Sequence, residues 1–339
     1  MDSESGTPRD RLGRALRELR VSVTDRCNFR CTYCMPLEHY SWIPKREILS
    51  FEEITRLSRL FVRLGVDALR LTGGEPLLRK GLPELIAMLS AIEGLDEISL
   101  TTNATRLVEL AEPLRRAGLR RINISLDTLD PARFEALTRR RDLDRVIAGI
   151  DRAVEVGLTP VKLNTVVQRG VNDDELVGLV RFAVERGLEL RFIEFMDVGT
   201  ANGWRLDQVV SRAEILQAIA GAIELEPLGR LNADDPAEAW RVRGSACRIG
   251  IIPSVTAPFC GRCSRARLTA NGSLVTCLFA ASGHDLKGRL RDGASDDELL
   301  DRLRQIWRAR DDRYSEIRFS ETGALARREG KLEMITLGG

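Results

Sequence analysis

Two compact groups of cysteines constrain this chain more than any other feature of its sequence. Six of its seven cysteines form two triplets, which are Cys27, Cys31 and Cys34, and Cys260, Cys263 and Cys277. Thiolates at such spacings hold iron–sulfur clusters or zinc, because both favour soft sulfur ligands. A structural zinc site needs four protein ligands, and neither triplet has a fourth cysteine or a histidine at the usual spacing. Three thiolates on a four-iron cluster would leave one iron open to a small molecule.

Strand-like and helix-like runs alternate along residues 19–200. The strand-like runs begin at Leu19, Ala68, Ile98, Ile122, Val161 and Leu190. Amphipathic runs separate them, and each of five such runs is followed by a glycine suited to a helix end. This alternation predicts parallel βα units, and it leaves a doubly wound sheet and an incomplete barrel both open.

One face is polar in five of the six predicted strands. In the first strand Arg20 and Ser22 alternate with Leu19 and Val21, and the next four strands follow the same pattern. A closed barrel fills its interior with branched apolar side chains, and the central strands of a doubly wound sheet are apolar on both faces. We therefore predict an open barrel with a polar lumen. The predicted parts are a mobile lead-in at 1–18, a partial barrel at 19–200 and a β-containing carboxy-terminal region at 201–339.

Charge and hydropathy exclude several classes of protein. Lys and Arg total 52 against 50 for Asp and Glu, which is a net charge of +2 and argues against a nucleic-acid-binding protein. No apolar run approaches the roughly 18 residues of a membrane span. The stretch at 1–14 lacks the apolar core of a signal peptide. We expect a cytoplasmic protein with no membrane or nucleic-acid partner.

The first triplet and the next strand end together resemble the radical S-adenosylmethionine (SAM) superfamily. The motifs are Cys27-Asn-Phe-Arg-Cys31-Thr-Tyr-Cys34 and Thr72-Gly-Gly-Glu-Pro76. The resemblance implies that the three cysteines hold a 4Fe–4S cluster whose open iron chelates SAM. It also implies that Tyr33, Gly74, Ser125 and Met196 bind SAM.

The second triplet resembles the molybdenum cofactor biosynthesis protein A family, the GTP 3′,8-cyclases. Its spacing is C-x2-C-x13-C, and further matches are Leu69–Pro76, Arg191–Met196 and the terminal Gly-Gly. The resemblance covers nearly the whole chain and implies an incomplete (βα)6 barrel with an extension that carries a second 4Fe–4S cluster. That cluster would bind the guanine of GTP. The GTP-binding positions implied by the resemblance are Arg20, Arg70, Thr101, Lys162, Arg265, Ala266 and Arg267.

The same resemblance implies an activity and its partners. A 5′-deoxyadenosyl radical would remove the C3′ hydrogen of GTP, and bond formation to C8 would give (8S)-3′,8-cyclo-7,8-dihydroguanosine 5′-triphosphate for molybdopterin synthesis. Implied partners are a flavodoxin- or ferredoxin-like electron donor, cyclic pyranopterin monophosphate synthase as acceptor of the product, and a second copy of the chain. The Gly-Gly tail would reach into the active site.

Two other functions fit the residues less well. One is a radical SAM enzyme with an auxiliary cluster that acts on peptide or RNA. The other is a non-catalytic iron–sulfur protein, for which the converging polar strand positions would have no purpose. Cys247 and His284 receive no role in any of these hypotheses.

Overall fold

A single twelve-stranded sheet organises the part of the chain that the computed structural model describes, which is residues 7–232, 234–318 and 330–338. In chain order the strands are β1 (Glu18–Ser22), β2 (Ala68–Thr72), β3 (Glu97–Thr102), β4 (Arg121–Ser125), β5 (Val161–Val167), β6 (Glu189–Glu194), β7 (Leu225–Gly229), β8 (Glu238–Val242), β9 (Arg248–Ile252), β10 (Arg265–Leu268), β11 (Ser273–Val275) and β12 (His284–Asp285).

Helices connect the strands and follow them at the carboxy-terminal end. They are α1 (Phe51–Arg63), α2 (Leu82–Ser90), α3 (Leu107–Arg116), α4 (Pro131–Thr138), α5 (Leu143–Glu155), α6 (Leu176–Glu185), α7 (Arg212–Ala220), α8 (Lys287–Arg291), α9 (Asp296–Ala309), α10 (Tyr314–Ile317) and α11 (Met334–Leu337). α1 begins after Ser50, which forms a reciprocal capping box with Glu53 through hydrogen bonds of 3.1 and 2.7 Å.

The six predicted strands lie side by side in chain order and run parallel. Their apolar faces pack against the helices in one core, where Val21, Leu71 and Ile122 are fully buried beside Leu57 of α1. The polar faces point the other way. This arrangement confirms the predicted partial barrel with helices outside and a polar lumen inside.

Strands from the carboxy-terminal region extend both edges of the six-stranded sheet. β9 pairs in parallel with β6, and β10 pairs in parallel with β1. The antiparallel strands β8 and β7 continue one edge, and β11 and β12 continue the other. A turn closed by a hydrogen bond from Gly272 N–H to Thr269 O separates β10 from β11.

The described part of the predicted lead-in is packed from Asp10 onward. Asp10 is buried and accepts hydrogen bonds from Arg14 at 2.6 Å and from Arg310 at 3.0 Å. Arg14 also donates to the backbone oxygen of Cys260 at 2.6 Å. These buried ion pairs fasten the chain start to the region of the second triplet. Residues 1–6 of the lead-in, and Gly339 of the Gly-Gly tail, lie outside the described residues.

Within the residues described, the search for membrane spans finds no helix with the necessary length and apolar character.

Candidate active site

One cavity of about 790 Å³ runs along the polar faces of the sheet, and side chains of both cysteine triplets line it. The first triplet follows β1, at the carboxyl ends of the parallel strands. Cys260 and Cys263 precede the amino end of β10, and Cys277 follows β11, which is antiparallel to β10. The second triplet therefore gathers towards the opposite end of the strands, and the lumen joins the two groups.

The first cysteine loop is fastened to the end of α4. The backbone N–H groups of Arg30 and Thr32 donate to Thr138 O and Leu137 O at 2.9 and 3.0 Å. Phe29 also packs edge-on against Phe134, with ring centroids 5.7 Å apart. These contacts hold the loop so that its three thiols face the cavity.

The thiols of the first triplet are close enough to influence one another's ionisation. Burial raises the pKa of Cys27 to about 11 and that of Cys34 to about 12, and it raises the pKa of Cys31 well above its usual value. A neighbouring thiol adds to the shift of Cys31 and of Cys34. Buried thiolates need positive charge beside them, and coordinating iron supplies it. The donor set therefore fits a cluster bound through three thiolates.

The second triplet differs in its electrostatics. Burial raises the pKa of Cys263, but the guanidinium groups of Arg265 and Arg310 outweigh it and bring the pKa to about 6. Arg265 Nη2 lies 3.5 Å from Cys263 Sγ. Burial raises the pKa of Cys277 to about 12. A thiolate is thus already favoured at one of the three positions, which also fits coordination of iron.

Neither triplet resembles a site for one ion. Among residues 7–232, 234–318 and 330–338, no three His, Cys, Asp or Glu side chains are arranged to hold a single metal ion. A 4Fe–4S cluster does not require the thiols to converge on one point, because each thiolate binds a different iron.

The Gly-Gly-Glu-Pro segment fits closely against the chain that leads into the first cysteine loop. Gly74 N–H donates to Thr24 O at 2.8 Å, and Glu75 N–H donates to Arg26 O at 2.7 Å. A Cβ on Gly74 would lie 2.4 Å from Arg26 O, so this position needs glycine. Gly73 has a φ of +155° and equally little room.

The Glu75 carboxylate fixes this segment to the end of β3. It accepts hydrogen bonds from Thr102 Oγ1 and Asn103 N, each at 2.7 Å. Burial raises the pKa of Glu75 to about 7 despite these donors. These hydrogen bonds consequently connect three segments, which are the cysteine loop, the Gly-Gly-Glu-Pro turn and the end of β3. Together they form the rim of the first cluster site.

The four residues predicted to bind SAM all line the cavity: Tyr33, Gly74, Ser125 and Met196. The Tyr33 hydroxyl donates to Asp127 Oδ2 at 2.7 Å, which sets the direction of the ring. Asn164, the register partner of Ser125, also faces the cavity, and its Oδ1 has no hydrogen-bond partner among the described residues. A buried acceptor of this kind suits a bound polar ligand.

Six of the seven residues predicted to bind GTP also line the cavity: Arg20, Arg70, Thr101, Lys162, Arg265 and Arg267. Ala266 does not, because alternation along β10 turns its side chain into the apolar core, where it is fully buried. A contact between Ala266 and GTP would therefore have to be made by the backbone of Ala266.

Carboxylates accompany the lumen cations. Glu18 lies 2.9 Å from Arg20 and 3.5 Å from Arg70, and Glu189 lies 2.9 Å from Lys162. Burial and the other guanidinium groups nearby lower the pKa of Arg70, although Glu18 opposes this. The cations are thus held in place by acidic partners while their charges crowd one another, an arrangement that favours a polyanion.

Four further arginines that the sequence did not assign line the cavity: Arg17, Arg121, Arg191 and Arg248. Arg191 lies in the sixth predicted strand, where Ile193 and Phe195 share its face, so no alternation of polar residues marked it. Arg121 precedes its predicted strand by one residue. Arg248 lies on β9, whose pairing with β6 no local pattern reveals.

The described end of the chain lies in the lumen. Gly338 O accepts a hydrogen bond from Arg267 Nη1 at 2.7 Å. Lys331 anchors this segment by donating to Asp197 Oδ2 at 2.8 Å and to the Tyr314 hydroxyl at 2.7 Å, all in a buried cluster. Asp197 directly follows Met196 in the chain. The segment that binds the tail therefore also carries a residue predicted to bind SAM. Cys247 is buried elsewhere and donates to Leu188 O at 3.1 Å, and His284 is exposed on β12.

Comparisons with known proteins agree with this geometry. A radical SAM superfamily model matches residues 21–183, and a model described as Molybdenum Cofactor Synthesis C matches residues 188–316. Among solved structures, SuiB of Streptococcus suis bound to S-adenosylmethionine has a TM-score of 0.56 at 17% identity, over 85% of this chain and 68% of that chain. That likeness concerns the fold.

Curated relatives match the chain from end to end. A GTP 3′,8-cyclase of Acidothermus cellulolyticus is 50% identical over 319 residues, which are 91% of this chain and 88% of the relative. A GTP 3′,8-cyclase of Staphylococcus carnosus is 44% identical over 336 residues, which are 97% and 98% of the two chains. The chain therefore belongs to the GTP 3′,8-cyclase family within the radical SAM superfamily.

Proposed function

We propose that this chain converts GTP to (8S)-3′,8-cyclo-7,8-dihydroguanosine 5′-triphosphate in the first step of molybdenum cofactor synthesis. The observation that carries the proposal is the single cavity that connects two cysteine triplets through a wall of cationic strand residues. The cofactors of the family are SAM and 4Fe–4S clusters. SAM bound at the first cluster would supply the radical chemistry that acts at C3′ of GTP.

The residues of the chain bind and orient the reactants. Cys27, Cys31 and Cys34 would hold the first cluster, and Cys260, Cys263 and Cys277 would hold the second. Tyr33, Gly74, Ser125 and Met196 line the carboxyl-end half of the lumen, where SAM would reach the open iron of the first cluster.

The cationic strand faces suit the triphosphate. Arg20, Arg70 and Arg267 occupy matching register positions on three neighbouring strands, so their guanidinium groups enter the lumen side by side. Arginine offers forked donors that match phosphate oxygens. GTP would displace Glu18 as the partner of Arg20 and Arg70, and Glu189 as the partner of Lys162. With the triphosphate held there, C3′ would be kept in place between SAM and the second cluster.

Anaerobic reconstitution followed by incubation with SAM, dithionite and GTP tests the proposal. We expect cyclised product by mass from GTP, and none from ATP, because guanine is assigned to the open iron of the second cluster. Guanosine without phosphates should be a very poor substrate, since remote binding energy also positions C3′. SAM cleavage without any guanosine product would contradict the proposal and favour a peptide or RNA substrate.

Further partners of this activity are also proposals. A homodimer, a cytoplasmic location and transfer of the product to cyclic pyranopterin monophosphate synthase all follow from the family resemblance. Sedimentation of the reconstituted protein tests the first of these directly.

A further inference from the structure

A dense group of arginines lies on the surface beside the first cysteine loop. It comprises five residues from two segments, 26–42 and 135–141, and we call it the arginine surface: Arg26, Arg30, Arg139, Arg140 and Arg141. The same segments carry only two carboxylates, Glu38 and Glu135. The surface is therefore strongly cationic although the whole chain is nearly neutral.

Folding brings these segments together at the cysteine loop itself. Arg140 Nε donates to Asn28 O at 2.7 Å, and Arg30 Nη1 donates to Cys27 O at 2.9 Å. Arg139 Nη2 donates to Pro36 O at 3.0 Å, just beyond Cys34. Three guanidinium groups thus touch the backbone next to residues that hold the first cluster, and they do so from the outside of the lumen.

Arg139 occupies a backbone position that usually belongs to glycine. Its φ is +58°, and it ends α4 in the left-handed conformation. A non-glycine residue there costs free energy, and its side chain is exposed rather than packed. The placement adds charge to this surface at some expense of stability.

Apolar groups accompany the charge. Tyr40 and Trp42 stack with ring centroids 6.0 Å apart, and the Arg30 guanidinium lies 5.8 and 5.4 Å from the two rings. Leu37 beside them is 51% exposed. Arginine and aromatic residues are the types enriched in protein–protein interfaces.

We propose that the arginine surface docks an acidic one-electron carrier protein, which delivers its electron to the first cluster. The inference rests on the proposed function, since that activity needs a reductant. The carrier is oxidised by one electron and the cluster is reduced by one, with no proton or group transferred. Charge complementarity orients such a partner and speeds its association. Because the arginine surface contacts the cysteine loop, a carrier bound there would have only a short distance for electron transfer to the first cluster.

A double variant, Arg139→Gly with Arg141→Glu, tests the proposal without touching the lumen. Glycine suits the backbone at 139, and the Arg141 side chain is 84% exposed with only an exposed ion pair to Glu135. The matched control is Arg116→Glu. Arg116 is 78% exposed, is likewise paired with a glutamate, and lies at the far end of α3.

The first readout is binding of an oxidised acidic flavodoxin, measured without turnover at low and at high salt. We expect the double variant to bind at least about tenfold more weakly than wild type at low salt, and the difference to shrink as salt rises. The control should bind like wild type. The proposal is overturned if the double variant binds the carrier as tightly as wild type, or if the control loses as much affinity as the double variant. It is also overturned if wild-type protein binds RNA but does not bind the carrier.

The second readout separates this proposal from the proposed function. SAM cleavage driven by dithionite needs no docking, so the double variant should match wild type, whereas cleavage driven by reduced flavodoxin should fall by a similar factor to the binding. If dithionite-driven cleavage fails in wild type, the proposed function is wrong. If variant and wild type both cleave SAM with dithionite and their flavodoxin-driven rates are also equal, the docking surface is wrong.

Discussion

Replacement of Gly74 by alanine should force apart the two segments that form the rim of the first cluster site. The added Cβ would lie 2.4 and 2.6 Å from Arg26 O and C, and 2.7 Å from Asp25 O. These are backbone atoms, which cannot rotate away as a side chain does. Ordinary contact requires roughly 1 Å more room. The glycine turn and the cysteine loop would therefore have to separate by about that distance.

The expected loss of stability comes from the two hydrogen bonds that span this gap. Gly74 N–H to Thr24 O is 2.8 Å long and Glu75 N–H to Arg26 O is 2.7 Å. A buried backbone group left without its partner costs about 1–3 kcal/mol. If both bonds are lost, the free energy of unfolding should fall by roughly 2–6 kcal/mol. SAM binding should also weaken, because Gly74 is a predicted SAM contact. A loss of about 1.4 kcal/mol in binding free energy is a tenfold loss of affinity, and we expect at least that much.

Gly178→Ala provides the matched control. Gly178 lies in α6, and a Cβ there meets no atom within 4 Å. Alanine in a helix interior should leave stability unchanged or raise it by up to about 1 kcal/mol. Thermal unfolding and equilibrium SAM binding of reconstituted protein compare the two variants. A Gly74→Ala protein that melts and binds SAM like wild type would refute the close-approach argument.

Three other predictions concern the clusters, the substrate and the tail. Changing Cys260, Cys263 and Cys277 together to serine should remove about half the iron and all cyclisation while some SAM cleavage survives; zinc in anaerobically prepared wild type would contradict this. Lys162→Met should weaken GTP binding about ten- to a hundredfold and leave SAM binding intact, whereas Arg116→Ala should change neither. Lys331→Met should speed proteolysis of residues 330–338, because Asp197 loses a charged partner at 2.8 Å, and Lys331→Arg should restore protection.

The lumen could be predicted because a strand exposes alternate residues to one side. Arg20, Arg70 and Lys162 fall on polar faces that the period-two pattern already marks, and the structure places them in the cavity. The same alternation explains the exception. Ala266 lies between two lumen arginines and therefore points into the core.

Short elements and distant pairings escaped prediction for physical reasons. α4 has only eight residues and little apolar periodicity, although Asp130 accepts from Arg133 N–H as a helix cap and Pro131 follows it. The pairing of β10 with β1 joins residues far apart in sequence, and its register depends on tertiary packing rather than on local pattern. The cationic surface beside the cysteine loop depends on α4 and was missed for that reason.

The position of β10 and β9 at the two edges of the six-stranded sheet has a consequence for how the chain is made. β1 is synthesised roughly 240 residues before β10, so at about 5–20 residues per second it waits roughly 12–50 s for its outer neighbour. During that time the unpaired backbone groups at the β1 edge are open to other chains, and the β6 edge is open until β9 has been made. Fragments that stop near residue 200 keep both edges permanently and should aggregate. Full-length protein should give more dispersed material when fewer chains are synthesised at one time, because fewer unfinished chains then meet.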